Sequence, residues 1–401
     1  MIQTLAFLIL NVFSVAALVG ILILAICRLI AVKKKNANPR QITHLKKTAI
    51  FLVIVVVLNV GLVAISQHTA YTPRILDEKG NTPENSIAEL TEIELNGREQ
   101  WISLRGWDQS KPVLLFLAGG PGGSQMAAVR YELSELEKHF VVVNWDQPGS
   151  GKSYYAEKTE NISIETYIQD GYALTEYLKE RFTQEKIYLV GESWGSALGI
   201  FLIDSFSDSY HAFIGTGQMI DFVETEQMDY EKALEIANEK NDKATVEQLE
   251  ENGLPPYYGD NVTWKSAVYL NYLSSYMANN SAIHNPGYNT LRDIGSSEYG
   301  LLDKINYFRG IINTYNHVYQ QLYSVDLRTD YTTLDVPIYF FLGRHDLNAP
   351  TSLVEEYLQV VDTPHTEIKW FEHSGHSPWI NERDKFMEEL ISCFLENEFQ
   401  D

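Results

Sequence analysis

Two stretches near the start of the chain lack the regular polar interruptions of a surface helix. Leu5 to Cys27 is apolar except at Asn11, Ser14 and Gly20, and Ala49 to Ile65 except at Asn59 and Gly61. About 20 helical residues cross a bilayer core, so the pattern predicts an N-terminal two-helix transmembrane hairpin over residues 1–66. A cleaved leader fits the first stretch poorly, because Met1-Ile2-Gln3-Thr4 carries no positive charge and the apolar run is too long.

After a Pro- and Gly-punctuated linker over 67–88, the pattern becomes that of a folded domain. Strands are expected at Glu89–Leu95 and Glu99–Arg105, joined at Asn96-Gly97, a strong hairpin signal. Pro112–Leu117 is a continuous apolar run and reads as a strand buried on both faces, as does Phe140–Trp145; further strands are expected at Lys186–Val190, Ala212–Gly215, Pro337–Leu342 and Ile368–Phe371. Helical periodicity is expected over Tyr131–Lys138, Ile164–Phe182, from Ser196, and from Asn381 to about Leu395. Strand and helix in alternation predict an α/β fold with a mostly parallel sheet. The alternation stops over 221–330, a polar, tyrosine-rich stretch read as a helical lid inserted between core parts 89–220 and 331–401.

Charge divides the chain in the same places. The connection between the two apolar stretches carries Lys33, Lys34, Lys35, Arg40, Lys46 and Lys47 and no acid. Positive short loops stay cytoplasmic, which predicts a multi-pass cell-membrane protein with its large domain on the extracytoplasmic side. All 53 acidic residues fall at or after Asp77, and the net charge is −22. Such a surface opposes phosphate backbones, so nucleic acid is not an expected partner. Cys27 and Cys393 sit too far apart in the pattern to staple the domain, which must stand on its core.

The chemistry centres on Gly191-Glu192-Ser193-Trp194-Gly195, a G-x-S-x-G directly after a predicted strand. There the strand turns sharply into a helix and presents the serine. A serine nucleophile needs an imidazole base, and the base needs an orienting carboxylate. Asp346 follows the strand ending at Leu342, and His376 follows the strand ending at Phe371, giving the chain order Ser, Asp, His. Asp362 and His373 are weaker alternatives for the acid and the base. A metal site at His373 and His376 lacks a third ligand, so neither a metal nor another cofactor is expected. An oxyanion site is expected from the N–H groups of Trp194 and of Gly119 or Gly120, in the loop after the third strand. An ordinary histidine base would let activity rise near pH ~6.5. Gly149-Ser150-Gly151-Lys152-Ser153 imitates the end of a phosphate-binding loop, but Asp146 stands where that motif requires glycine.

Gly119-Gly120-Pro121-Gly122-Gly123, Trp145-Asp146-Gln147-Pro148-Gly149-Ser150-Gly151-Lys152-Ser153, the elbow, Gly343-Arg344-His345-Asp346 and Ser374-Gly375-His376-Ser377 together resemble the proline iminopeptidase branch of the α/β-hydrolase superfamily, from about Leu90 onward. The resemblance implies a serine aminopeptidase that releases N-terminal residues, often proline, from short peptides through an acyl-enzyme. It also implies that lid carboxylates bind the substrate's α-amino group; Glu224 and Glu226 are the nearest candidates, although a solvated acidic helix start explains them equally. Ala118 and Pro148 depart from the family's usual histidine and arginine, which bears on the substrate rather than on the triad. A carboxylesterase or lipase with the same triad remains the alternative, followed by a non-catalytic receptor or scaffold on this fold. Expected partners are a small peptide or ester and membrane lipid. The oligomeric state is not legible.

Overall fold

A computed structural model describes residues 2–285 and 287–396. The chain divides into two compact units, one holding the N-terminal helices with residues 295–304, the other the remaining described residues.

In the first unit, α1 (Ile2–Lys33) and α2 (Pro39–His68) form a hairpin. Pro39 opens α2 at a position where its missing N–H costs nothing, and Asn38 with Gln41 forms a capping box. Phe13 meets Phe51 edge-on at 6.3 Å. Both helices are long and apolar enough to cross a membrane, and most of their Leu, Ile and Val side chains point outward. The end of α2 engages the short segment from the same unit. The Ser66 hydroxyl accepts the Leu301 N–H at 2.9 Å, and the Gln67 amide donates to Asp303 at 2.7 Å.

The second unit is built on one eight-stranded sheet, in the order β1-β2-β4-β3-β5-β6-β7-β8. Its strands are β1 (Ile87–Leu95), β2 (Arg98–Gly106), β3 (Val113–Leu117), β4 (Val141–Asp146), β5 (Ile187–Glu192), β6 (Tyr210–Thr216), β7 (Ile338–Gly343) and β8 (Thr366–Phe371). β2 runs antiparallel to both β1 and β4, and every other pair is parallel. Asn96 and Gly97, at φ of 50° and 79°, make the hairpin turn that joins β1 to β2.

The continuous apolar runs are explained by burial on both faces. Leu115, Val143, Leu189 and Phe340 pack to one side with Leu174 and Leu178 of α4 (Ile164–Phe182) and Leu198 of α5 (Trp194–Ser205). Leu114, Val142, Val190 and Phe341 pack to the other with Val129, Phe386 and Leu390. The helix expected over Tyr131–Lys138 forms instead as Met126–Glu132 followed by a 3-10 turn at Ser134–Lys138. Its buried residues are Met126, Ala127, Ala128, Val129 and Glu132.

Between β6 and β7 the chain is helical. It includes α6 (Phe222–Glu239), a second helix at Lys243–Asn252 and a third at Val262–Ala278. The first two are separated by a break at Lys240–Asp242, where the Asp242 side chain caps the second by accepting the Thr245 N–H.

One buried ion pair ties the antiparallel edge to the helical layer. Asp170 of α4 is fully buried and accepts from Arg98 Nε at 2.9 Å, Asn96 at 2.9 Å and Gln100 at 2.7 Å. Asp170→Ala leaves these donors without an acceptor and should lower stability by about 3 kcal/mol. Thermal unfolding of the variant checks this, and an unchanged Tm contradicts it.

Candidate active site

The site is assembled where β5 gives way to α5. Ser193 has φ 54° and ψ −122°, a left-handed conformation costly for a residue with a side chain. It is held there by bonds on both sides. The Ser193 N–H donates to Thr216 O at 3.0 Å, and the Ser196 N–H and hydroxyl donate back to Ser193 O at 2.8 and 2.6 Å. The turn closes only because Gly191 and Gly195 lack a Cβ. At Gly191 it would strike the carbonyl of Gly195, and at Gly195 that of Leu117 in β3.

Asp346 leaves the end of β7 already oriented. Its Oδ1 accepts the N–H groups of Asn348 and Ala349 at 2.8 and 3.1 Å. Its two oxygens lie 3.1 and 3.0 Å from His376 Nδ1, and the Asp346 side chain is only 2% exposed. The loop carrying His376 is fastened in turn. The Gly375 N–H donates to Asn381 at 3.0 Å, and Glu382 accepts from the Ser374 hydroxyl and the His373 N–H at 2.7 and 2.8 Å. The rival residues are engaged elsewhere. His373 stacks on His284 at 4.1 Å with its Nδ1 3.1 Å from Ala282 O, and the backbone of Asp362 pairs with that of Thr332 and Leu334.

Burial by itself disfavours the imidazolium of His376. The charge and hydrogen bond of Asp346, with a further contribution from the charge of Glu192, outweigh it and push the imidazole up to about 9. The ordinary value near 6.5 expected from sequence does not survive the company of two carboxylates.

Ser193 and His376 line one cavity of about 310 Å³ together with Gly119, Gly120, Tyr288 and Tyr307. A second, of about 400 Å³, adjoins His376 and is lined by Met277, Ile283, Tyr288 and Asn348 among others. Tyr288 and His376 border both. Among the described residues, no group of three or more His, Cys, Asp or Glu could hold a metal ion.

Three sequence-derived candidates are engaged by other groups of the protein. The Gly119 N–H donates to Gln125 Oε1 at 3.2 Å, so it is not free for a substrate oxyanion; Gly120 and Trp194 remain. Glu224 does not line either cavity; its carboxylate receives Arg328 Nη2 at 2.6 Å in a cluster with Asp221, Asp326 and Glu356. Glu226 is buried at 1% exposure, accepts from Ser266 at 3.1 Å and Tyr269 at 2.7 Å, and also lines neither cavity. Burial pushes its carboxyl up to about 7 despite these donors. Its other oxygen, Oε2, is buried with no hydrogen-bond partner among the described residues.

Sequence reasoning also passed over residues that shape the site. The Trp194 indole donates to Gln147 Oε1 at 2.9 Å, and Gln147 donates to Ala118 O at 3.2 Å, joining the Trp-Asp-Gln motif to the elbow and the glycine loop. Glu192 collects donors from several loops. Its only sequence signal is an acid at the variable position of G-x-S-x-G.

Comparison with known proteins agrees with this arrangement. Residues 112–382 match the alpha/beta hydrolase fold family. The chain is 30% identical over 307 residues to Probable aminopeptidase YbaC of Bacillus subtilis (strain 168), covering 76% of this chain and 96% of that protein. It is 26% identical over 294 residues to the proline iminopeptidase of Saccharolobus solfataricus, covering 71% and 84%. The solved structure of VinJ shares the fold with a TM-score of 0.57 at 17% identity, over 77% of this chain and 98% of that one. The chain belongs to the α/β-hydrolase fold family, in its proline iminopeptidase branch, and is an aminopeptidase-like hydrolase.

Proposed function

We propose that the protein is a membrane-anchored serine aminopeptidase that removes N-terminal residues from short peptides, with Ser193 as nucleophile, His376 as base and Asp346 as its orienting acid. The observation that carries this reading is the Asp346–His376 pair at 3.0 Å, bordering the same cavity as a serine held at a strained strand-to-helix turn. The peptide preference draws on the relatives named aminopeptidase and proline iminopeptidase. A cavity at the small end of the range for ligand sites, with Tyr288, Tyr307 and Phe308 on its wall, suits one compact apolar residue such as proline.

In this mechanism His376 removes the Ser193 hydroxyl proton as Oγ attacks the scissile carbonyl carbon. The resulting oxyanion is met by the N–H groups of Trp194 and Gly120. Collapse of the tetrahedral intermediate breaks the C–N bond, and the leaving amine takes the proton from His376. Water, deprotonated by the same imidazole, then attacks the acyl-enzyme; collapse frees the released residue and returns the proton to Ser193. Asp346 accepts from Nδ1–H throughout and stabilises the imidazolium.

The two apolar helices serve as the anchor in this reading. The basic connection around Lys33, Lys34 and Lys35 supports a catalytic domain on the extracytoplasmic side. Protease added to intact cells should digest the catalytic domain and spare this connection; protection of the domain until the cells are lysed reverses the orientation.

Prolyl and other aminoacyl amides, tested beside short acyl esters, discriminate the main alternative. An aminopeptidase cleaves the amides and needs their free α-amine, whereas an esterase cleaves the esters alone. Ser193→Ala should lower kcat by at least about 10³-fold on either substrate, and residual turnover near wild type removes Ser193 as nucleophile.

The pH profile follows from the imidazole. His376 must be neutral to act, and its environment holds the proton up to about pH 9. Consequently kcat/KM should climb through pH 7 to 9 rather than level off above ~6.5. A plateau already reached at pH 7 contradicts this.

A further inference from the structure

Glu192 precedes the nucleophile and is 2% exposed. Its Oε1 accepts the Ser377 hydroxyl at 2.5 Å and the Trp379 indole at 2.9 Å. Its Oε2 accepts the Tyr288 hydroxyl at 2.5 Å and the Gln125 amide. The roughly four lone-pair directions of a carboxylate are thus filled, all by neutral donors. These donors come from three separate stretches of chain. Ser377 and Trp379 directly follow His376. Gln125 closes the glycine loop, where its other end binds the Gly119 N–H. Tyr288 belongs to the loop after the helix at Val262–Ala278 and borders both cavities.

A structural hub at this point could be neutral. A buried charge is costly to keep and is felt strongly by neighbours. The titratable groups around His376 are Asp346 from the end of β7, Glu192 from the end of β5 and the hydroxyl of Tyr288, which burial and Glu192 hold far above its usual range and therefore as a neutral donor; Asp229 of α6 acts on Asp346, and burial with that neighbouring acid raises its own carboxyl well above the usual range. The imidazolium formed during acyl transfer is consequently flanked by two carboxylates, only one of which it touches.

We propose that Glu192 is a positioning residue: it locks the His376 loop and the glycine loop to the Ser193 turn, and it makes that lock depend on the lid loop that supplies Tyr288. The proposal rests on Ser193 being the nucleophile. Substrate need not be known to test it, because phosphonylation of Ser193 by a fluorophosphonate requires the same neutral imidazole.

The labelling rate of the full chain in detergent is measured against pH. In Glu192→Gln the acid limb should move to lower pH, since one of the two anions favouring the imidazolium is gone. Tyr288→Phe should slow labelling several-fold and leave the limb in place, because the charge remains. Loss of a merely structural contact would not move the limb. If Glu192→Gln shows no folding transition, Ser377→Ala with Trp379→Phe strips one oxygen of its donors while keeping the charge. That double variant should label about tenfold more slowly, and wild-type rates in it overturn the proposal. A folded Glu192→Gln with an unmoved limb overturns it as well. Absence of labelling at Ser193 in the unmodified protein instead overturns the serine-nucleophile reading itself.

Discussion

The structure turns on how closely β3, β5 and α5 approach one another around a single serine. In the proposed reading the nucleophile must stand clear of the sheet, and the backbone allows this by holding Ser193 at φ 54° and ψ −122°. That conformation is unfavourable in isolation and persists because its surroundings leave no alternative. Gly195 lies against the Leu117 carbonyl so tightly that one methyl group has no room, and Gly191 lies against Gly195 in the same way. The parallel register of β3 with β5, Leu117 beside Gly191, sets that spacing. Beyond β6, the adjacent strands β7 and β8 then deliver Asp346 and His376 from their own carboxyl ends.

Electrostatics is layered on this geometry. Asp346 both orients the imidazole and favours its charged form, while Glu192 adds a second negative charge without contact. The arrangement stabilises the imidazolium of the reaction's charged intermediate and, by the same token, makes the resting base harder to deprotonate. Gln125 links the two concerns, with one end on the Gly119 N–H and the other on Glu192.

Much of this was legible in the sequence, for physical reasons that differ by element. Strands buried on both faces announce themselves as unbroken apolar runs, so β3, β4, β5 and β7 were found to within two residues. The elbow was legible because its glycines are obligatory, and the Asp346–His376 pair because each residue follows a predicted strand. Tertiary partners were not legible. The diversion of the Gly119 N–H to Gln125, the capture of Glu224 by Arg328 and the burial of Glu226 against Ser266 and Tyr269 depend on residues 6 to 104 positions away. No local pattern encodes those distances. The ordinary pKa assumed for His376 failed for the same reason, since a sequence does not show which carboxylates will flank a ring.

Arg328 has a meaning beyond the loss of Glu224 as a candidate. Its guanidinium holds Asp221 and Glu224 at the point where the chain departs from the sheet, and Asp326 and Glu356 at and beyond the point where it returns. The Leu327 N–H donates to Ile220 O at 3.0 Å in the same place. The largely helical insertion is thus cinched at the neck, and β6 and β7 pair beside each other as if a short turn joined them. Because closure entropy grows only with the logarithm of loop length, the sheet is nearly indifferent to what the neck encloses. The lid is in that sense a cassette: its contents can be lengthened, shortened or exchanged in evolution while the catalytic strands beneath keep their register.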